Sequence, residues 1–223
     1  ATDQAGNVSS EVNSDGVTIT QNAPTVEVSS DAVYATNQDS FAVTVTFSSD
    51  VTGFADSDVT VSNGTLSNFA GSGAGYSFDV APTAEGNVTV DIVDGAAQDV
   101  NGISSVASPQ FTMIYDITIP VVGSVLDGIN DDLDWFNAPD SLIATWTGFS
   151  DSLSGIGEYE YAIGTGAEST DVLDWTSAGG DTTVTPTGLT LSDGITYYTS
   201  VHAIDMAGNV SADTSTNGVT IDM

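Results

Sequence analysis

Hydrophobic and polar residues alternate along most of this chain. In FAVTVTF, Phe41, Val43, Val45 and Phe47 fall on one face of an extended segment while Ala42, Thr44 and Thr46 take the other, the period-two pattern of a half-buried strand. The runs TVEVSS, DVTVSN, GTLSNF, GYSFDVAP, GNVTVDIV and QFTMIYD repeat the pattern between Gly, Asn, Asp and Ser turns. With FAVTVTF they make seven short strands and no helical period, which predicts a two-sheet sandwich over residues 22–116. GSGAG at 71–75 reads as a hairpin turn. Asn22-Ala23-Pro24 and Asp116 to Pro120 read as linkers, each closed by a proline that withholds a ladder donor. SLIATWTGF, GEYEYAIGT, DVLDW, TTVTPTGL and ITYYTSVHAID then predict a second sandwich over residues 117–223. The expected fold is all-β, with the two sandwiches in tandem.

The chain also repeats itself. Residues 1–21 laid on residues 203–223 at an offset of 202 give 11 identities without a gap, including AGNVS on AGNVS and GVTI on GVTI. Self-similarity at fixed spacing marks a repeat array. Residues 1–21 are therefore expected to be the tail of a preceding copy, ending in one strand, and the chain a window onto a longer polymer.

Charge narrows the functional classes. There is no Lys or Arg against 31 Asp and Glu, a formal charge of -31. Phosphate contacts need cations, so nucleic acid is not an expected partner, and anionic membrane surfaces repel such a chain. With 40% apolar residues in alternating runs, the acidity does not imply disorder. The absence of Cys removes disulfides, thiolate metal sites and Cys nucleophiles. No apolar run is long enough to span a bilayer as a helix.

Residues 22–116, through VTFSSDVTGF, DVTVSNGTLSNF, GYSFDVAPTAEGNVTVDIVDGAAQDVNG and FTMIYD, resemble a bacterial Ig-like repeat of large surface proteins. Residues 117–222 resemble a fibronectin type III domain. The likeness rests on Leu142, Ala144 and Trp146, on Tyr159 and Tyr161, and on Leu191 to Tyr197 followed at alternate positions by Thr199, Val201 and Ala203. The last stretch is similar to that family's tyrosine corner, in which a Tyr near the start of strand F bonds back to backbone. Residues 1–21 then correspond to the strand F to strand G segment of a preceding type III-like repeat.

These resemblances place the DxAGN motif, Asp205 to Asn209, in the loop between strands F and G, beside the B–C loop and the incoming linker. Asp116, Asp151, Asp205 and Asn209 are the expected metal ligands there. Three carboxylates without an internal cation repel one another unless a hard cation bridges them, and calcium accepts six to eight such oxygens in flexible geometry. The competing reading is a tight turn, with Gly208 supplying positive φ and the short side chains bonding local backbone. Asp99 and Asn101, near Asn22, form a poorer version of the same motif, as do Asp3 and Asn7 in the first copy. Asp127 to Asp134 reads as a solvated loop. His202, the single histidine, is expected to point outward from its strand. No catalytic constellation appears. Trp135, Phe136 and Trp175 are candidates either for a sugar-stacking platform or for plugs at the open ends of the core.

Together these features predict a non-enzymatic, extracellular, cell-surface or secreted segment of a long bacterial adhesin or filament. Calcium at the joints stiffens it. Expected partners are neighbouring repeats, neighbouring chains through strand pairing, and surface glycans. The alternative is a carbohydrate-binding or spacer module of a secreted polysaccharide-degrading enzyme.

Overall fold

The computed structural model describes residues 4–5, 22–32 and 34–223. The expected strand of residues 1–21 and the Asp3/Asn7 motif therefore lie outside the described residues. Strands β1 (Val26–Ser29), β2 (Ala35–Thr36), β3 (Phe41–Thr52), β4 (Val59–Ser62), β5 (Gly64–Pro82), β6 (Gly86–Ile92), β7 (Gln98–Asp99) and β8 (Phe111–Tyr115) form the first sandwich. One sheet runs β1-β3-β5, with β7 also on β3, and the other runs β2-β8-β6-β4.

The faces follow the sequence pattern. Phe41, Val43, Val45 and Phe47 are buried and the residues between them are exposed. They meet Val88, Val90, Ile92 and Met113 from the facing sheet. Phe47, Phe54 and Tyr76 fill one end with edge-to-face ring pairs at 4.9 to 6.0 Å.

Strand β5 joins two expected strands in one continuous run that folds back on itself. The Thr65 hydroxyl donates to the Ala81 carbonyl at 3.5 Å and Asn68 Nδ2 donates to Asp79 at 2.7 Å. Gly71, at φ +134°, sits where a Cβ would lie 2.4 Å from the Gly75 carbonyl oxygen. Only glycine fits that crossing.

The second sandwich comprises β9 (Ser124–Asp127), β10 (Trp135–Phe136), β11 (Ala144–Thr147), β12 (Ile156–Gly164), β13 (Leu173–Gly179), β14 (Thr183–Val184), β15 (Thr196–Asp205), β16 (Thr214–Ser215) and β17 (Val219–Ile221). Its sheets run β10-β17-β15-β12-β13, with β16 on β15, and β14-β11-β9. Leu142, Ala144, Trp146, Tyr161, Tyr197, Val201 and Ala203 are all buried. The backbone N–H of Ser192 donates to the Tyr197 hydroxyl at 2.9 Å, which ties the turn before β15 to the strand.

Two expectations change here, and one alternative left open narrows. His202 does not project into solvent, because β15 is an inner strand whose outer face is covered. The imidazole is 10% exposed, lies under the Trp175 ring at a centroid distance of 4.1 Å, and sits between Glu160 at 3.1 Å and Asp213 at 3.0 Å. Asp127 is not part of a solvated loop but closes β9 with 2% exposure, whereas Asp131, Asp132 and Asp134 beyond it are exposed. The three aromatic residues form no shared platform. Trp135 is exposed on edge strand β10, Phe136 packs into the core, and Trp175 lies on β13 at the opposite edge of the sheet.

Candidate metal centre

The DMAGN loop is built by one side chain. Asp205 Oδ1 accepts the backbone N–H of Ala207 at 2.9 Å and of Asn209 at 2.8 Å. The Asp205 backbone exchanges bonds with the Asn209 carbonyl and the Gly208 N–H. Gly208 turns the chain at φ +93°. The local turn anticipated from Gly208 is thus present, and it aims the carboxylate toward the end where the linker comes in.

The other two carboxylates arrive from separate elements. Asp116 follows β8, which places it after the last residue of the first sandwich. Its Oδ1 accepts the Thr118 N–H at 3.0 Å and its Oδ2 the Ser154 N–H at 3.1 Å. Asp151 lies between β11 and β12, and its Oδ1 accepts the N–H groups of Leu153, Ser154 and Gly155 at 2.8 to 2.9 Å. Burial raises its carboxyl, but the Gly155, Leu153 and Ser154 donors outweigh that and hold it below the usual carboxylate range.

Oxygen atoms of Asp116, Asp151 and Asp205 lie within 4.8 Å of one another. Asp116 is 0% and Asp205 3% exposed. Asn209 joins the cluster nitrogen first. Its Nδ2 donates to Asp205 Oδ2 at 2.8 Å and to the Asp116 carbonyl at 2.9 Å, while its Oδ1 accepts from Asn37 Nδ2 at 3.1 Å.

The Asp99 loop has the same template. Asp99 Oδ1 accepts from the N–H groups of Asn101 and Ile103, and Gly102, at φ +77°, donates to the Asp99 carbonyl. The Ile103 donor is the main reason its carboxyl lies below the usual range. Among the described residues, no group of three such ligands gathers around Asp99. Sequence reading missed Asn37, Ser154 and Glu85. Ser154 contributes a backbone N–H, which carries no side-chain signature, and the other two come from turns far away in sequence.

Comparison with known proteins now bears on the first sandwich. Residues 20–114 match the family model of the bacterial Ig-like domain, so the first sandwich is similar to that domain. No curated protein matches the chain. Among solved structures it is similar to the fibronectin(III)-like modules of Clostridium thermocellum CbhA, at 16% identity and a TM-score of 0.47 over 88% of this chain and 94% of that one. It is also similar to domains A168-A170 from titin, at 16% identity and 0.49 over 90% and 67%. A third likeness is to the FN1-FN3 domains of chicken CNTN1, at 9% identity and 0.39 over 91% and 68%.

Proposed function

We propose that this chain is a non-enzymatic structural or adhesive segment of a long extracellular bacterial protein, with calcium clamping the joint between its two sandwiches. One observation carries the reading: Asp116, Asp151 and Asp205 converge from the linker and two loops of the second sandwich, two of them buried, in a chain without Lys or Arg. Burying uncompensated charge is costly. A hard divalent cation offsets that cost, and an all-oxygen donor set of flexible loops suits calcium better than magnesium. Because Asp116 opens the linker while Asp151 and Asp205 belong to the second sandwich, a bound ion would restrict rotation about the linker. A structural rather than catalytic role is supported by the single histidine, whose two ring nitrogens are both engaged by carboxylates within one face of the sheet.

The test is calcium titration of the chelator-treated chain, followed by melting and by solution scattering. At a hundredfold excess over the dissociation constant, binding to the folded state alone adds about 2.7 kcal/mol. Asp151→Asn keeps an oxygen for the Leu153, Ser154 and Gly155 N–H groups while removing the charge, so it should fold and lose the calcium response. A melt indifferent to calcium would discard the clamp.

A further inference from the structure

We propose that the joint also contains a latch that needs no cation: a relay of side-chain amides, Gln38, Asn37 and Asn209, that fixes the pose of the second sandwich on the first. The inference rests on the jointed-segment reading above. It assigns Asn209 a positioning role, not that of an oxygen ligand.

The relay follows from strand register. The short strand β2 runs parallel to the end of β8, pairing Ala35 with Ile114 and Thr36 with Tyr115. The next residue on one side is Asn37 and on the other Asp116, whose N–H bonds the Thr36 carbonyl at 3.0 Å. Asn37 is thus held beside the linker at the downstream end of the first sandwich.

Its amide is oriented from behind, because Gln38 Nε2 donates to Asn37 Oδ1 at 2.7 Å. That leaves Asn37 Nδ2 to donate across the joint to Asn209 Oδ1 at 3.1 Å. The Asn209 nitrogen in turn serves the Asp116 carbonyl at 2.9 Å and Asp205 Oδ2 at 2.8 Å. Asn37 and Asn209 therefore each have oxygen and nitrogen committed in one direction, and such chains polarise cooperatively.

The geometry depends on Gly208, which supplies φ +93° and leaves Asn37 Nδ2 as the nearest group to its missing Cβ at 3.7 Å. The linker is gripped separately on the first-sandwich side. Glu85 Oε1 accepts the Ile117 N–H at 2.9 Å and the Thr118 hydroxyl at 2.8 Å. Asn209 is 9% exposed, so turning its amide oxygen toward the carboxylates would forfeit its bonds to Asn37 and to the Asp116 carbonyl together.

The absence of cysteine makes spin labelling direct. Labels at Thr44→Cys and Thr147→Cys, both exposed and one in each sandwich, report the pose by pulsed dipolar spectroscopy on the full chain. In excess chelator the parent should give a narrow distance distribution. Asn37→Ala should raise the population of other poses about fivefold, as expected for one net hydrogen bond, with melting and circular dichroism unchanged. Asn209→Asp, which keeps the shape but loses both donated bonds, should broaden it further. Calcium titration of the parent is the parallel arm. A parent that binds no calcium while Asn37→Ala still broadens the distribution leaves the latch standing and removes the clamp. A parent already broad in chelator, or an Asn37→Ala distribution identical to it, overturns the latch.

Discussion

Asp127 offers the sharpest test of how this acidic chain tolerates a buried carboxylate. Burial pushes its carboxyl from 3.8 up to about 6, against the opposing bonds from the Thr216 hydroxyl and the Gly218 N–H and with a further rise from Asp132. A pKa raised on folding gives stability that is complete below the unfolded value and is lost as pH climbs through the folded one. The second sandwich should therefore weaken between about pH 4 and pH 7. The full shift of about two units corresponds to about 3 kcal/mol. Part of it reflects exposed Asp132, so Asp127→Asn is expected to recover about 1 to 2 kcal/mol at pH 7 after allowance for solvent screening. The amide keeps an oxygen for Gly218, and the Thr216 hydroxyl can accept its new N–H. For a module of this size that gain raises the melting temperature by roughly 5 to 10 °C. Urea unfolding of parent and variant at pH 4, 5.5 and 7 separates this group from the general relief of repulsion on acidification, because the latter is common to both proteins. A variant equally or less stable than the parent at pH 7, or a difference that does not shrink at pH 4, would refute the reasoning.

Other perturbations test other parts of the fold. Tyr197→Phe removes the acceptor for the Ser192 N–H and should cost about 1 kcal/mol, read as a lower denaturation midpoint with an unchanged slope. His202→Phe keeps a ring under Trp175 but strips the bonds to Glu160 and Asp213. It should destabilise by about 1 kcal/mol, read as a lower denaturation midpoint. Gly71→Ala forces a Cβ against the Gly75 carbonyl in a left-handed conformation and should cost about 1 to 3 kcal/mol, visible in a melt that resolves the first sandwich.

The sequence by itself determined the layers. Alternation in FAVTVTF and in the β15 stretch chose which residues face the core, since a one-residue slip would turn every side chain to the wrong face. The DxAGN motif was legible because Asp, Gly and Asn have short-range tasks that spacing alone reveals, and the convergence of Asp116, Asp151 and Asp205 followed from where a sandwich brings its loops. What only the tertiary structure decided is the surroundings of single polar groups. Alternation turned His202 outward, but it could not show that Trp175 from β13 would roof it. Asp127 looked like its acidic neighbours, yet strand pairing drew it inside. Asn37 carries no motif at all: a two-residue parallel pairing with β8 sets it at the joint. These are contacts between segments distant in sequence, fixed by sheet order and register, and no local pattern of residues encodes them.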